Sequence, residues 1–252
     1  MRTRLTIVAL LFVPIAFGSM LPSIAADDKV VKASLTHAGR ARTYYVLAPD
    51  GATPGPAPLV VLLHGSGRDG RSLLDPWTPL ARKAGIILVG LESVDRRFWA
   101  TETDGPDFIH AAVEAVRAKY PVDPKRMYLF GHSAGASFAI MMALWESEYF
   151  AAVAAHAGVL PENLDQYLAM APRKTPIGLW VGTNDALFPL AAVRATRDAL
   201  TGAGFPVQLD EMKGHTHNYY GLAPDINARV WQFLRPHALQ ADPKYKEYEF
   251  AR

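Results

Sequence analysis

The chain has 252 residues, half of them hydrophobic, with 26 Lys and Arg against 24 Asp and Glu and no cysteine. The missing cysteine excludes disulfides and thiol-linked lipid. The small positive excess is Arg2 and Arg4, in a stretch without acids up to Ala26, so the remainder is formally neutral and offers no electrostatic ground for a nucleic-acid partner.

Met1-Arg-Thr-Arg4 is a charged start, Leu5 to Gly18 is apolar but for Thr6 and Pro14, and Ser23-Ile-Ala-Ala26 is a run of mostly small residues. That is the layout of a secretory leader, and its apolar part is short of the roughly 20 residues of a spanning helix. Residues 1–26 are therefore expected to be cleaved after Ala25 or Ala26, giving an exported protein, periplasmic or secreted, without a membrane span. About 226 residues remain, which suits one domain at 27–236, followed by a polar tail or surface strap at 237–252.

Val30–Thr36 and Arg42–Leu47 flank His37-Ala-Gly-Arg40 and predict an antiparallel hairpin at a sheet edge. Next come short, largely aliphatic runs: 59–63, 86–89, 127–130, 151–155 and 177–181. Continuous apolar runs of this length fit strands buried on both faces of a parallel sheet. Helical patterns alternate with them at 108–118, 134–145, 190–200 and 226–234. The expected class is α/β: a mostly parallel central sheet with helices on both faces, an antiparallel N-terminal hairpin and no large cap.

Phe130-Gly-His-Ser-Ala-Gly135 places a G-x-S-x-G pattern between a predicted strand and a predicted helix. Ser133 is the candidate nucleophile, on a strained turn whose flanking glycines avoid the neighbouring elements. His64-Gly-Ser-Gly67 ends an earlier strand. A loop there can supply one backbone N–H of an oxyanion hole, assigned to Ser66, and Ala134 supplies the second. His64 precedes the serine in the chain and is read as a structural residue that shapes this loop. Gly182-Thr-Asn-Asp185 opens from another buried strand, and the order Ser, Asp, then a following His makes Asp185 the candidate acid, favoured over a turn aspartate capping the next helix. Lys213-Gly-His-Thr-His-Asn-Tyr-Tyr220 then offers His215 and His217 as the general base. As a metal pair they lack further ligands, so no metal is expected.

The stretches Gly105-Pro-Asp-Phe-Ile109, Val122-Asp-Pro-Lys-Arg-Met127, Gly131-His-Ser-Ala-Gly135 and Ala151–Gly158, together with His64-Gly-Ser-Gly67 and Gly182-Thr-Asn-Asp185, resemble the polyhydroxybutyrate depolymerase and feruloyl-esterase-like group of α/β-hydrolases. The resemblance spans roughly residues 42–235. It implies Ser133 as nucleophile, Asp185 as acid, a histidine within 215–217 as base, no cofactor, and small-molecule or polymeric carboxylic esters as substrates. In that group Gly-His-x-Trp would select His215, whereas the Gly-x-x-His-x-Tyr-Tyr of other esterases selects His217. His217 is the expected base, because Gly214 frees the turn and two further residues lend reach; His215 is the alternative. A peptidase, an acyltransferase and a non-catalytic binding protein are the rival functions.

Overall fold

The computed structural model describes residues 29–49, 55–160 and 165–247. The expected leader lies outside them. The chain opens with β1 (Val31–His37) and β2 (Arg40–Leu47), paired antiparallel through a two-residue turn. Ala38 and Gly39 both have positive φ there, 46° and 74°, as the tight hairpin turn matching strand twist demands. There follow β3 (Ala57–Leu63), α1 (Arg71–Ala84), β4 (Ile87–Leu91), α2 (Thr101–Asp104), α3 (Pro106–Arg117), β5 (Val122–His132) and α4 (Ala134–Trp145). The chain continues through β6 (Ala152–His156), α5 (Asp165–Met170), β7 (Ile177–Gly182), α6 (Leu190–Gly202), β8 (Val207–Met212) and α7 (Ala223–Leu234).

The eight strands among the described residues form one sheet in the order β1-β2-β4-β3-β5-β6-β7-β8, parallel from β4 to β8. Alternate residues of each strand feed two cores. Leu59, Val61, Leu63, Leu129 and Val153 face α3, α4 and α6, and Val60, Leu62, Tyr128, Phe130 and Ala154 face α1 and α7. Two-sided burial explains the continuous apolar runs of the central strands. β3 neighbours both β4 and β5, so the strand order reverses there, and a crevice opens at the carboxyl ends beside such a switch.

Four described elements depart from the sequence expectation: the short helices α2 and α5, and, more instructively, α1 and β8. α1 carries Pro76 and Pro79 inside it, which hides its helical period. An interior proline costs roughly 3 kcal/mol; Leu73, Leu74 and Trp77 are essentially fully buried, and each contributes roughly 1.5–3 kcal/mol. Packing and breaker are of similar size, so the helix survives through tertiary contact. β8 is an edge strand with only Met212 buried, so it shows no apolar run.

The described part of the tail is a strap. Leu239 N–H donates to the Lys125 carbonyl at 2.9 Å, Lys244 pairs with Glu148 at 2.9 Å, and Tyr245 donates to Asp107 while stacking on His110 with centroids 3.8 Å apart.

Candidate active site

The elbow that carries the candidate nucleophile is built by close approach. Gly131 and Gly135 face each other so tightly that a Cβ on Gly131 would lie 2.1 Å from the Gly135 carbonyl oxygen, and one on Gly135 would lie 2.1 Å from that of Leu63. No side chain fits at either place. Between them Ser133 is held at φ 57°, ψ −120°, a strained conformation for a non-glycine residue. Its N–H donates to the His156 carbonyl at 3.0 Å, and α4 begins at the next residue. The positive end of that helix dipole therefore sits beside the hydroxyl.

Asp185 follows β7, and its two oxygens do different work. Oδ1 accepts the N–H groups of Leu187 and Phe188, both at 2.9 Å, and Oδ2 faces His217 Nδ1 at 2.9 Å. The turn-forming and the acid readings of Asp185 are thus compatible. A carboxylate only accepts, so Nδ1 of His217 carries the proton and Nε2 is left as an acceptor. Nε2 stands 3.0 Å from Ser133 Oγ. Gly214, at φ 73°, turns the chain after β8, and Phe188 stacks on the His217 ring at 5.5 Å and 9°.

His215 points elsewhere. Its Nε2 lies 3.2 Å from His156 Nε2, and His156 Nδ1 lies 3.0 Å from His132 Nδ1. His132 Nδ1 is also 3.4 Å from the His156 carbonyl. A carbonyl only accepts, so His132 donates from Nδ1, and His156 in turn donates from Nε2 to His215. All three rings are buried. Burial, with His217 as the next cause, lowers His132 to about 3, and burial followed by His132 lowers His156 to about 2. Burial also lowers His215. These rings stay neutral where His217 would work.

Ser66 and Gly65 line the same cavity as Ser133, of about 550 Å³, with Leu187, His217 and Tyr220 around them. A Cβ on Gly65 would lie 3.3 Å from Ser133 Cβ, so the loop abuts the elbow that begins α4 at Ala134. His64 is buried beneath this loop and faces Ser93 and Gly65. Four features of the site were not read from the sequence: Phe188, the histidine row, Arg68 over the Tyr220 ring at 4.6 Å, and Leu187, which is 69% exposed at the mouth. Phe188 and Leu187 flank the Asp185 turn, so proximity to the acid was the available signal. Tyr219 is core, its hydroxyl donating to Asn227 at 2.6 Å, and Tyr220 lines the cavity. A larger hollow, about 890 Å³, lies at the opposite ends of β7 and β8 near Pro176, Val207 and Phe233; its lining contains no serine, threonine or cysteine. Ser133 lines the smaller one.

No described helix is long and apolar enough to cross a membrane. Among curated proteins, NocK of Nocardia uniformis subsp. tsuyamanensis, an esterase candidate, is 32% identical over 177 residues, which is 65% of this chain and 51% of NocK. The chain thus spans about half the length of that relative. Among solved structures, the fluorophosphonate-binding serine hydrolase FphF of Staphylococcus aureus aligns with a TM-score of 0.70 at 16% identity, covering 82% of this chain and 98% of FphF. A ferulic acid esterase aligns with a TM-score of 0.67 at 18% identity, with the same coverage of 82% and 98%. At such identities the likeness is one of fold, that of the α/β-hydrolases. Residues 91–230, which contain Ser133, Asp185 and His217 but not Ser66, match the dienelactone hydrolase family, and the chain belongs to that family.

Proposed function

We propose that the protein hydrolyses carboxylic esters through an acyl-enzyme on Ser133. The observation that carries this reading is the unbroken line Asp185–His217–Ser133, with separations of 2.9 and 3.0 Å, ending on a strained elbow. His217 Nε2 takes the hydroxyl proton as Ser133 Oγ attacks the ester carbonyl. Asp185 holds the ring in the required tautomer and stabilises its cationic form. The N–H groups of Ser66 and Ala134 receive the oxyanion. The leaving alcohol takes the proton from His217, and water, activated by the same ring, then releases the acid. His217, with its partner on Asp185, is the base in this reading, and His215 belongs to the buried row.

The sequence resemblance and the ferulic acid esterase neighbour favour feruloyl-type or hydroxyalkanoate esters. The leader favours export after loss of residues 1–26. The test is a fluorophosphonate probe with peptide mapping, run beside p-nitrophenyl acetate, a feruloyl ester, polyhydroxybutyrate film and an aminoacyl anilide. Label on Ser133 with ester turnover is the expected result. No label, or turnover confined to the anilide, would overturn the reading.

A further inference from the structure

The oxyanion loop is held by the segment that follows β4. Its first contact is through His64. The Nδ1 of that ring lies 2.9 Å from the Gly65 carbonyl, and its Nε2 receives the Ser93 N–H at 3.3 Å. The carbonyl can only accept and the amide can only donate. Together they demand a neutral ring protonated at Nδ1. Burial, the leading influence on His64, lowers its pKa and works in the same direction. The Ser93 hydroxyl, donating to the Asp95 carbonyl at 2.8 Å, keeps the segment folded over the ring.

A trans peptide is planar, with C=O and N–H on opposite sides. Fixing the Gly65 carbonyl therefore fixes the direction of the Ser66 N–H in the same peptide unit. The preceding unit is fixed too, because the Trp99 indole N–H donates to the His64 carbonyl at 2.9 Å. Gly67 N–H donates to the Arg96 carbonyl at 2.7 Å and closes the far side of the loop. Trp99 is itself seated, stacked on Phe138 of α4 at 5.6 Å.

The segment has its own anchor. Asp104 accepts the N–H groups of Val94 at 2.9 Å and Ala100 at 3.0 Å, one near each end. It pairs with Arg42 of β2 at 2.6 Å, both side chains almost completely buried. Arg42 also donates to the Glu92 carbonyl at 3.0 Å.

We propose that Ser93–Ala100 is a clamp for the oxyanion donor, with Ser93 and Trp99 as positioning residues acting through His64 on the Ser66 N–H, and the Arg42–Asp104 pair as its anchor. This rests on the proposed role of Ser66 in ester hydrolysis. A clamp of this kind serves charge that appears only in the transition state, so its loss lowers kcat and leaves KM alone.

Removing His64 or Asp104 leaves buried groups unpartnered and can unfold the chain. The cleaner variant is Trp99→Phe, which keeps an aromatic ring against His64 and Phe138 and deletes the indole N–H. The readouts are kcat and KM on p-nitrophenyl acetate, the inhibition constant of phenylboronic acid, whose serine adduct is tetrahedral, and fluorophosphonate labelling. Losing an oxyanion donor outright costs about 10²–10³ in kcat. Misaiming one should lower kcat by roughly tenfold and weaken phenylboronic acid by roughly tenfold, with KM within about twofold. Unchanged kcat and inhibition in a labelled, active background would overturn the clamp alone. A raised KM at constant kcat would make Trp99 a wall of the substrate site and overturn it equally. A wild-type protein that takes no label and turns over no ester would overturn the ester reading and the clamp together.

Discussion

His217 and His132 stand with ring centroids 5.0 Å apart, and the two regions that carry them hold imidazole in different ways. The loop after β8 sets His217 between a carboxylate and a hydroxyl, its side chain 22% exposed. The ends of β5 and β6 set His132 and His156 in register, each with the other for a partner, inside the sheet. Burial without a counter-charge turns an imidazole into neutral, hydrogen-bonded packing; partial exposure beside Asp185 gives His217 the setting that the proposed base requires. Both His132 and His217 lie within short, conspicuous motifs, so motif membership does not distinguish them. The partner on the second nitrogen does.

The largest effect that can break this comparison comes from single alanine substitutions. Ser133→Ala and His217→Ala should each lower kcat/KM on the order of 10⁴-fold or more, while His215→Ala should cost about tenfold or less. All three are measured on one ester with folded protein checked by circular dichroism. A near-dead His215→Ala beside a lively His217→Ala would move the base to the buried row and sink the assignment.

The second effect is on stability. His132 and His156 have folded values of about 3 and 2, well below the ordinary histidine value of 6.5. Between those limits the unfolded chain binds more protons than the folded one. Their contribution to stability is therefore whole above about pH 6.5 and is lost progressively as pH falls below it. The urea midpoint should fall clearly from pH 7 to pH 5, and His156→Asn should show a shallower slope than wild type. A flat wild-type midpoint over that interval would mean that the row is already protonated or wet.

What the sequence disclosed follows the same division. The elbow was legible because its constraint is local: Gly131 and Gly135 are glycine because backbone lies about where a Cβ would go. β3 to β7 were legible because burial on both faces writes a continuous apolar run. His217 was the expected base from reach alone; the surroundings of the two rings were not legible, since both follow Gly214 closely and only the fold shows that one ring meets His156 and the other Asp185. The clamp was invisible for a related reason. Arg42, His64, the Ser93–Ala100 segment and Asp104 lie in separate parts of the chain, and no spacing rule joins them. α1 was hidden by Pro76 and Pro79, whose cost is offset only by burial that the sequence alone does not reveal.

The smallest effect concerns a histidine outside both regions. His110, on α3, stacks flat on Tyr245 of the strap at 3.8 Å and 6°, and Tyr245 donates to Asp107 one turn earlier. Here imidazole is neither base nor core; it is a platform holding the tail. Tyr245→Leu removes both the stack and the hydrogen bond. An aromatic pair contributes about 0.5–1.5 kcal/mol and a hydrogen bond about the same, so the expected loss is about 1–3 kcal/mol, read as a lowered urea midpoint at unchanged slope. Tyr245→Phe keeps the ring and should lose roughly half of that. In both variants kcat/KM should stay at the wild-type value, because the strap lies along α3 and the turn after α4 at Glu148 and Tyr149, away from Ser133. A Tyr245→Leu protein with an unchanged urea midpoint would show that the stack adds nothing. One with a wild-type midpoint and reduced turnover would show instead that the strap reaches the active site through α3 and the Asp104 anchor just before it.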